Sequence, residues 1–399
     1  MFGFEIIARD RKARAGTLTT PHGTVATPSF VAVGTHAAVQ ALSSEDLLMM
    51  GTQVIIANTY HLHLNPGEGL IKKMGGLHAF MGWPGPVVTD SGGFQIFSLG
   101  IGKEQGVGKI ASIFPAPPEN SSDGSGKRKS MVSVDEEGIT FTSHCDGTPR
   151  RFTPEGVIHI QRRLGADIIL TLDECTSPYH DYDYTRQSME RTHRWAVRGL
   201  EEFRRDDSRH QALWGVVQGG AYRDLREESA VFMKQQGFDG YAVGGSLGKT
   251  KDQMIQVVGW KTQSLPEQAP RHLLGIGEVE DMFAAVEAGI DLFDCVAPTL
   301  LARTGTVYVG KSKRFRIHIR NARFRDDQKP IEETCGCYTC SRYSRAYLRH
   351  LFMAREPFGI RLATLHNVYF MESLFRLIRT AIKEGRLERL KKEWLSVSH

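Results

Sequence analysis

The chain lacks any long apolar run. Its start, Met1-Phe2-Gly3-Phe4-Glu5-Ile6-Ile7, turns charged at once, so neither a secretion signal nor a membrane-spanning segment is expected. Cysteine is scarce too, with six in 399 residues. Cys145, Cys175 and Cys295 are scattered without the spacing of a disulfide framework, which fits a reducing compartment and predicts a cytoplasmic location. A strong charge of either sign is also missing. Lys and Arg exceed Asp and Glu by 50 to 45, a balance that tolerates a polyanionic partner without demanding one. No glycine loop for nucleotide phosphates occurs.

The other three cysteines are concentrated. Cys335-Gly336-Cys337-Tyr338-Thr339-Cys340 places them within six residues, and His366 follows at a distance that a short helix can fold back. Three Cys and one His complete a zinc tetrahedron and leave no position for a catalytic water, which predicts a structural Zn²⁺. A zinc-dependent hydrolase is disfavoured on the same ground, and the catalytic groups must be sought elsewhere.

With 41% hydrophobic residues, the chain can bury one large core or two moderate ones. Eight short apolar runs recur, at Phe30–Val33, Val54–Ala57, Val87–Thr89, Ile168–Leu172, Leu213–Val217, Tyr241–Val243, Leu273–Ile276 and Ile290–Phe293. Helix-like stretches separate most of them, including Pro154–Leu164, Tyr184–Phe203, Tyr222–Gln236 and Val279–Ala288. This alternation predicts an α/β fold, a (β/α)₈ barrel, over an open doubly wound sheet. Polar or glycine residues close the runs: Asn58, Asp90, Asp173, Gln218, Gly244-Gly245, Gly275 and Asp294. In a barrel such strand ends converge on one mouth.

Residues 1–310 are expected to form the barrel, with a flexible insert around 102–137 that contains Pro115-Ala116-Pro117-Pro118 and Lys127-Arg128-Lys129. Residues 311–399 are expected to form a zinc-binding, basic helical subdomain packed on it. Lys311 to Arg325 alternates basic and apolar residues like a half-exposed strand. Asn367 to Trp394 reads as a long amphipathic helix or helix pair carrying Arg376, Arg379, Lys383, Arg386, Arg389, Lys391 and Lys392. Together these suggest phosphate contacts.

A carboxylate at a strand end is often only a turn or cap residue. Two in one mouth, Asp90 and Asp294, suit substitution at a sugar's anomeric carbon, one attacking while the other exchanges a proton with the leaving group. Asp173, Gln218 and the backbone at Gly244-Gly245 suit the hydrogen-bonding edge of a heterocycle, and Phe94 could stack on its face.

Asp90-Ser91-Gly92-Gly93-Phe94-Gln95, Asp173-Glu174-Cys175, Val217-Gln218-Gly219, Gly240-Tyr241-Ala242-Val243-Gly244-Gly245, Phe293-Asp294-Cys295-Val296 and the Cys335/Cys337/Cys340/His366 set resemble, in that order, the tRNA-guanine transglycosylases of the queuosine pathway, bacterial members especially. The resemblance implies exchange of the wobble guanine, position 34, in tRNAs with G-U-N anticodons (the Asp, Asn, His and Tyr isoacceptors) for a 7-deazaguanine base. It implies that Asp294 is the nucleophile and Asp90 the acid/base. Asp173, Gln218 and Gly245 would read the base between Phe94 and Leu274, and Arg303 would contact the tRNA. A homodimer and a flipped guanine are implied as well. A catalytically silent tRNA-binding subunit would need the fold without these carboxylates, and both are present. The archaeal-type enzyme usually carries an added RNA-binding domain.

Two stretches depart from the family pattern. Leu300 in Pro298-Thr299-Leu300-Leu301-Ala302-Arg303 replaces a usual arginine, so altered contacts to the neighbouring uridines are expected. Gly244-Gly245-Ser246-Leu247-Gly248-Lys249 lacks the acidic residue that supports recognition of the cationic arm of preQ1, which favours queuine over preQ1.

Overall fold

The computed structural model describes residues 2–104, 132–206, 210–245, 247, 251–262, 264–310 and 312–396. Eight parallel strands close into a barrel: β1 (Ser29–Val33), β2 (Ile55–Ala57), β3 (Val87–Thr89), β4 (Ile168–Leu170), β5 (Ala212–Val217), β6 (Gly240–Val243), β7 (Arg271–Leu273) and β8 (Leu292–Asp294). Each strand lies beside its neighbour in sequence, and β8 returns to β1 through Leu292↔Ser29, Phe293↔Phe30 and Asp294↔Val31. The predicted (β/α)₈ barrel is therefore the fold observed.

The apolar runs form these strands because both faces are covered: β2, β3, β4, β5, β6 and β7 are buried at every residue. Most strand boundaries differ from expectation by one or two residues, and β7 differs most. β7 begins at Arg271 and His272 and ends before the left-handed Gly275 (φ 76°). A buried arginine opens the strand because its guanidinium donates to the Leu265 and Pro266 carbonyls, a pairing that hydropathy does not reveal.

The helix Pro154–Leu164 shows local sequence control at both ends. Thr153 caps its start by accepting from Gly156 N–H, Pro154 occupies the first turn, and Gly165 closes it at φ 76°.

The chain divides into two compact units. The first comprises residues 57–80 and 87–272. It contains β3 to β6 and a small antiparallel sheet, Val132–Asp135, Gly138–Thr142 and Pro149–Phe152, inserted between β3 and β4. Of the expected insert, residues 102–104 belong to the helix Gly93–Glu104 and Val132–Asp135 is a strand. Lys127-Arg128-Lys129 lies outside the described residues. The turn at Glu136 is gripped by the helix Tyr182–Arg204, through Arg194 Nε and the Trp195 indole.

The second unit comprises residues 2–56, 81–86 and 273–399. It opens with an antiparallel sheet that the sequence reading did not anticipate, Gly3–Asp10, Ala13–Thr20 and Gly23–Thr27. Its middle strand buries Arg14, whose guanidinium binds both Asp291 oxygens (2.8 and 2.5 Å). The C-terminal segment belongs to this same unit. Its 27-residue helix Pro357–Lys383 lies against β1 and the helix Ala297–Arg303. Phe375 meets Phe293 of β8, and Asn367 bonds Tyr308 N–H and the Pro298 carbonyl.

Candidate active site

In the first unit, Asp90 directly follows β3 and is held from the start of the helix that follows β2, Thr59–Leu64. Asn58 Nδ2 donates to one carboxylate oxygen at 2.6 Å, Thr59 N–H to the other at 2.9 Å, and the Thr59 hydroxyl to the Asp90 carbonyl. Asn58 is itself fixed, because its Oδ1 caps that helix at His61 N–H. The Asp90 carboxylate is thus oriented before any substrate arrives.

Asp173 and Gln218 form a second cluster there. Asp173 is 8% exposed; it accepts from Ser91 Oγ at 3.1 Å and from Gln218 Nε2 at 2.6 Å. Burial pushes its pKa up to about 6, against the opposing pull of those two bonds. Gln218 Oε1 is buried and finds no hydrogen-bond donor among the described residues. An orphaned acceptor is costly unless a ligand supplies a donor. Gly245 (φ 72°) lies alongside, where a Cβ would stand 2.0 Å from that oxygen. At Gly93 a Cβ would come within 2.8 Å of the Asp173 carbonyl. Two glycines therefore keep open a polar cradle, and the 51% exposed ring of Phe94 follows Gly93. Beside it, Glu174 is fully buried and bonded by Tyr184 Oη (2.8 Å) and Arg191.

In the second unit, Asp294 ends β8 half-buried, and its Oδ1 accepts from Gly275 N–H at 3.2 Å. Leu274 is half-buried on the same segment after β7. The next residue, Cys295, accepts from Ala297 N–H at 3.3 Å and lies so close to Gly277 that a Cβ there would stand 2.2 Å from its sulfur. That packing fixes the backbone around Asp294. Arg303 is exposed at the end of the helix Ala297–Arg303, which also holds the half-buried Leu300. Ser246, Gly248 and Lys249 lie outside the described residues.

The structure brings Cys335, Cys337, Cys340 and His366 together, with ligand atoms within 4.8 Å of one another. The helix Arg345–Met353 reverses the chain so that His366, on Pro357–Lys383, returns to the thiols. His366 Nδ1 lies 3.7, 3.5 and 3.3 Å from the three sulfurs. A tetrahedral zinc, with bonds of about 2.3 Å to sulfur and 2.0–2.1 Å to nitrogen, separates such ligands by about 3.6 Å. Hydrogen bonds among the three thiols pull Cys337 down and push Cys340 up, so the cluster favours a thiolate, the form that ligates a metal. His366 Nε2 meets the Tyr308 carbonyl at 2.7 Å, fixing the tautomer whose Nδ1 faces the sulfurs. The donor set fits zinc.

The basic C-terminal stretch forms the helices Pro357–Lys383 and Leu387–Leu395, and several of its cations have partners within the protein. Arg379 is tucked in to donate to the Ala26 and Pro28 carbonyls, and Arg376 donates to Met50. Lys391 pairs with Glu287, Lys392 with Glu388, Arg389 with Glu393 and Arg386 with Glu384. These cations are engaged within the protein. The expected strand Lys311 to Arg325 shrinks to Arg316–His318, because Arg314 and Phe315 take left-handed φ (58° and 55°). Arg316 pairs with Glu278.

Comparison with known proteins accords with this arrangement. The family model for queuine tRNA-ribosyltransferase matches residues 10–113 and 120–399. The chain belongs to that family. A relative from Archaeoglobus fulgidus is 50% identical over 393 residues, 96% of each chain. Queuine tRNA-ribosyltransferases of Roseiflexus sp. (strain RS-1) and Caldanaerobacter subterraneus subsp. tengcongensis are 46% and 45% identical. They cover 99% and 98% of this chain, and this chain covers 99% and 96% of theirs. As a queuine tRNA-ribosyltransferase family member, the chain is a pentosyltransferase that works on tRNA by transglycosylation. No helix among its described residues is long and apolar enough to cross a membrane.

Sequence reasoning passed over the residues that hold these groups. Thr59 and Ser91 have their roles set by partners 31 and 82 positions away, Asp90 and Asp173.

Proposed function

We propose that this enzyme replaces the wobble guanine, position 34, of G-U-N tRNAs (Asp, Asn, His and Tyr isoacceptors) with a 7-deazaguanine by double displacement. The observation that carries the reading is the buried Asp173–Gln218 cradle, with its orphaned acceptor and its two glycines, in a barrel whose β3 and β8 end at the carboxylates Asp90 and Asp294. Barrel enzymes build their sites at the C-terminal strand ends.

An Asp294 oxygen attacks C1′ of the flipped nucleotide. The C1′–N9 bond breaks, its electron pair passes to guanine, and protonated Asp90 neutralises the departing base. The ribose remains as an ester of Asp294. The incoming base then gives its N9 proton to Asp90 and attacks C1′, expelling the Asp294 carboxylate. Two inversions restore the original configuration, and the proton count balances. One purine-like glycosidic bond replaces another, so no nucleotide triphosphate is consumed.

In this reading Asp173 accepts two N–H bonds from the base edge, Gln218 and the Gly245 backbone complete the recognition, and Phe94 and Leu274 cover the two faces of the ring. Arg303 contacts tRNA. Cys335, Cys337, Cys340 and His366 hold one Zn²⁺ per subunit, which cross-links the segment and takes no part in the chemistry. A cytoplasmic homodimer follows from the family likeness. Queuine is favoured over preQ1 because Gly248 and Lys249 stand where an acidic residue would support a cationic arm.

Incorporation of labelled guanine into a G-U-N transcript, chased with queuine or preQ1, tests this reading. Label is expected to enter wobble-guanine tRNA alone and to be released faster by queuine. Equal labelling of a transcript with adenine at position 34 overturns the positional assignment, and release by preQ1 alone overturns the base preference.

A further inference from the structure

The helix Arg223–Gln236 presents two polar side chains, Arg226 and Ser229, on one face three residues apart. Both are fully buried. Arg226 Nε donates to the Gly220 carbonyl at 2.6 Å, and Nη1 to the carbonyls of Val217 (2.9 Å) and Gly244 (3.1 Å). Those three carbonyls bracket Gln218 and precede Gly245. Ser229 Oγ accepts Gln218 N–H at 3.2 Å and lies 3.0 Å from His193 Nε2, whose ring stacks on Phe232.

Gly219 makes the approach possible. Its φ is 124°, and a Cβ there would stand 2.9 Å from the Arg226 backbone nitrogen. A guanidinium has five N–H donors in a fixed plane, so it can hold several carbonyls in one geometry where an ammonium cannot. Burying a cation against carbonyls is costly, and burial lowers its pKa to about 9. A simple apolar helix–strand contact would avoid that cost.

We propose that Arg226 and Ser229 are positioning residues for base recognition, holding the Gln218 amide and the Gly244-Gly245 turn in the geometry that selects the base, a role that rests on assigning Gln218 to base reading. Neither touches the substrate. Their effect passes through the backbone of residues 217–220 and 244.

The test measures guanine exchange into tRNA for Arg226→Lys, Ser229→Ala and Gln218→Ala, singly and with Gln218→Ala added, alongside melting temperature. KM for guanine is expected to rise roughly tenfold in Arg226→Lys and roughly threefold in Ser229→Ala, the scale of a misplaced hydrogen bond. KM for tRNA should stay within about twofold, and both effects should shrink when Gln218 is already alanine. Ser229→Ala is a small change that keeps the test open if Arg226→Lys does not fold. An unchanged guanine KM in Ser229→Ala overturns the proposal, as does a fall in kcat that merely follows the folded fraction. Gln218→Ala distinguishes the two readings: if it alone leaves guanine KM unchanged, the base-reading assignment fails. If it raises guanine KM while the positioning variants do not, only the present proposal fails.

Discussion

Asp173 is the residue where burial and hydrogen bonding oppose each other. Desolvation raises its pKa from 3.8 to about 6, and the Gln218 and Ser91 bonds only partly offset this. A raised folded-state pKa means stability that is fully present below the unfolded value and is lost as pH rises through about 6. Asp173→Asn cannot ionise, so at pH 7.5 it is expected to be more stable than wild type by on the order of 2–3 kcal/mol. The gap should narrow as the pH falls toward 4, which urea unfolding at several pH values would measure. A gap independent of pH would place the cost elsewhere. A base that donates two N–H groups to this carboxylate favours its ionised form, so guanine binding should weaken as the pH falls below about 6. Asp90, Asp173, Gln218 and Asp294 were legible in the sequence because each is a polar side chain just beyond a buried apolar run. Asn58 was legible only as a strand end; its grip on Asp90 and that of Thr59, like the Ser91 bond to Asp173, exist only once β2, β3 and β4 are neighbours. Arg226 reads in sequence as an ordinary surface charge on a helix, although the fold buries it.

At the scale of elements, strands buried on both faces announced themselves, and β7 was misplaced because its arginine and histidine conceal it from hydropathy. The N-terminal sheet was missed because Gly3–Asp10 alternates exposed and half-buried residues instead of forming a run buried on both faces. Arg376 and Arg379 mislead in the other direction. They suggest a basic face, yet they tie the helix Pro357–Lys383 to backbone carbonyls near β1 and the helix Ser44–Met50. The zinc ligands span two elements, so metal is expected to support the return of His366 to the thiols. Cys340→Ala should lose the stoichiometric zinc. Its amide hydrogen exchange should accelerate over residues 335–366, while strands β4 and β5 remain as protected as in wild type. Full protection of 335–366 in zinc-free protein would contradict a structural metal.

At the scale of the whole molecule, the contact between Arg14 and Asp291 joins the beginning of the chain to the approach to β8 across 277 positions. Both side chains are essentially inaccessible, at 1% and 0%. Removing one partner leaves an uncompensated buried charge, so Arg14→Met or Asp291→Leu is expected to cost about 3–5 kcal/mol in chemical denaturation, and the double variant less than either. Additive losses would show that the pair is not coupled. The barrel gives the two carboxylates their meaning, because parallel strands deliver Asp90 and Asp294 as strand-end residues of a single closed sheet. The central claim is that Asp294 becomes covalently bonded to ribose. It is tested most directly by mixing enzyme, tRNA and guanine, denaturing, and separating the protein for wild type, Asp90→Ala and Asp294→Ala. A tRNA–protein adduct in wild type and none in Asp294→Ala is the result expected; an adduct that persists in Asp294→Ala would contradict the assignment and move the nucleophile to another residue.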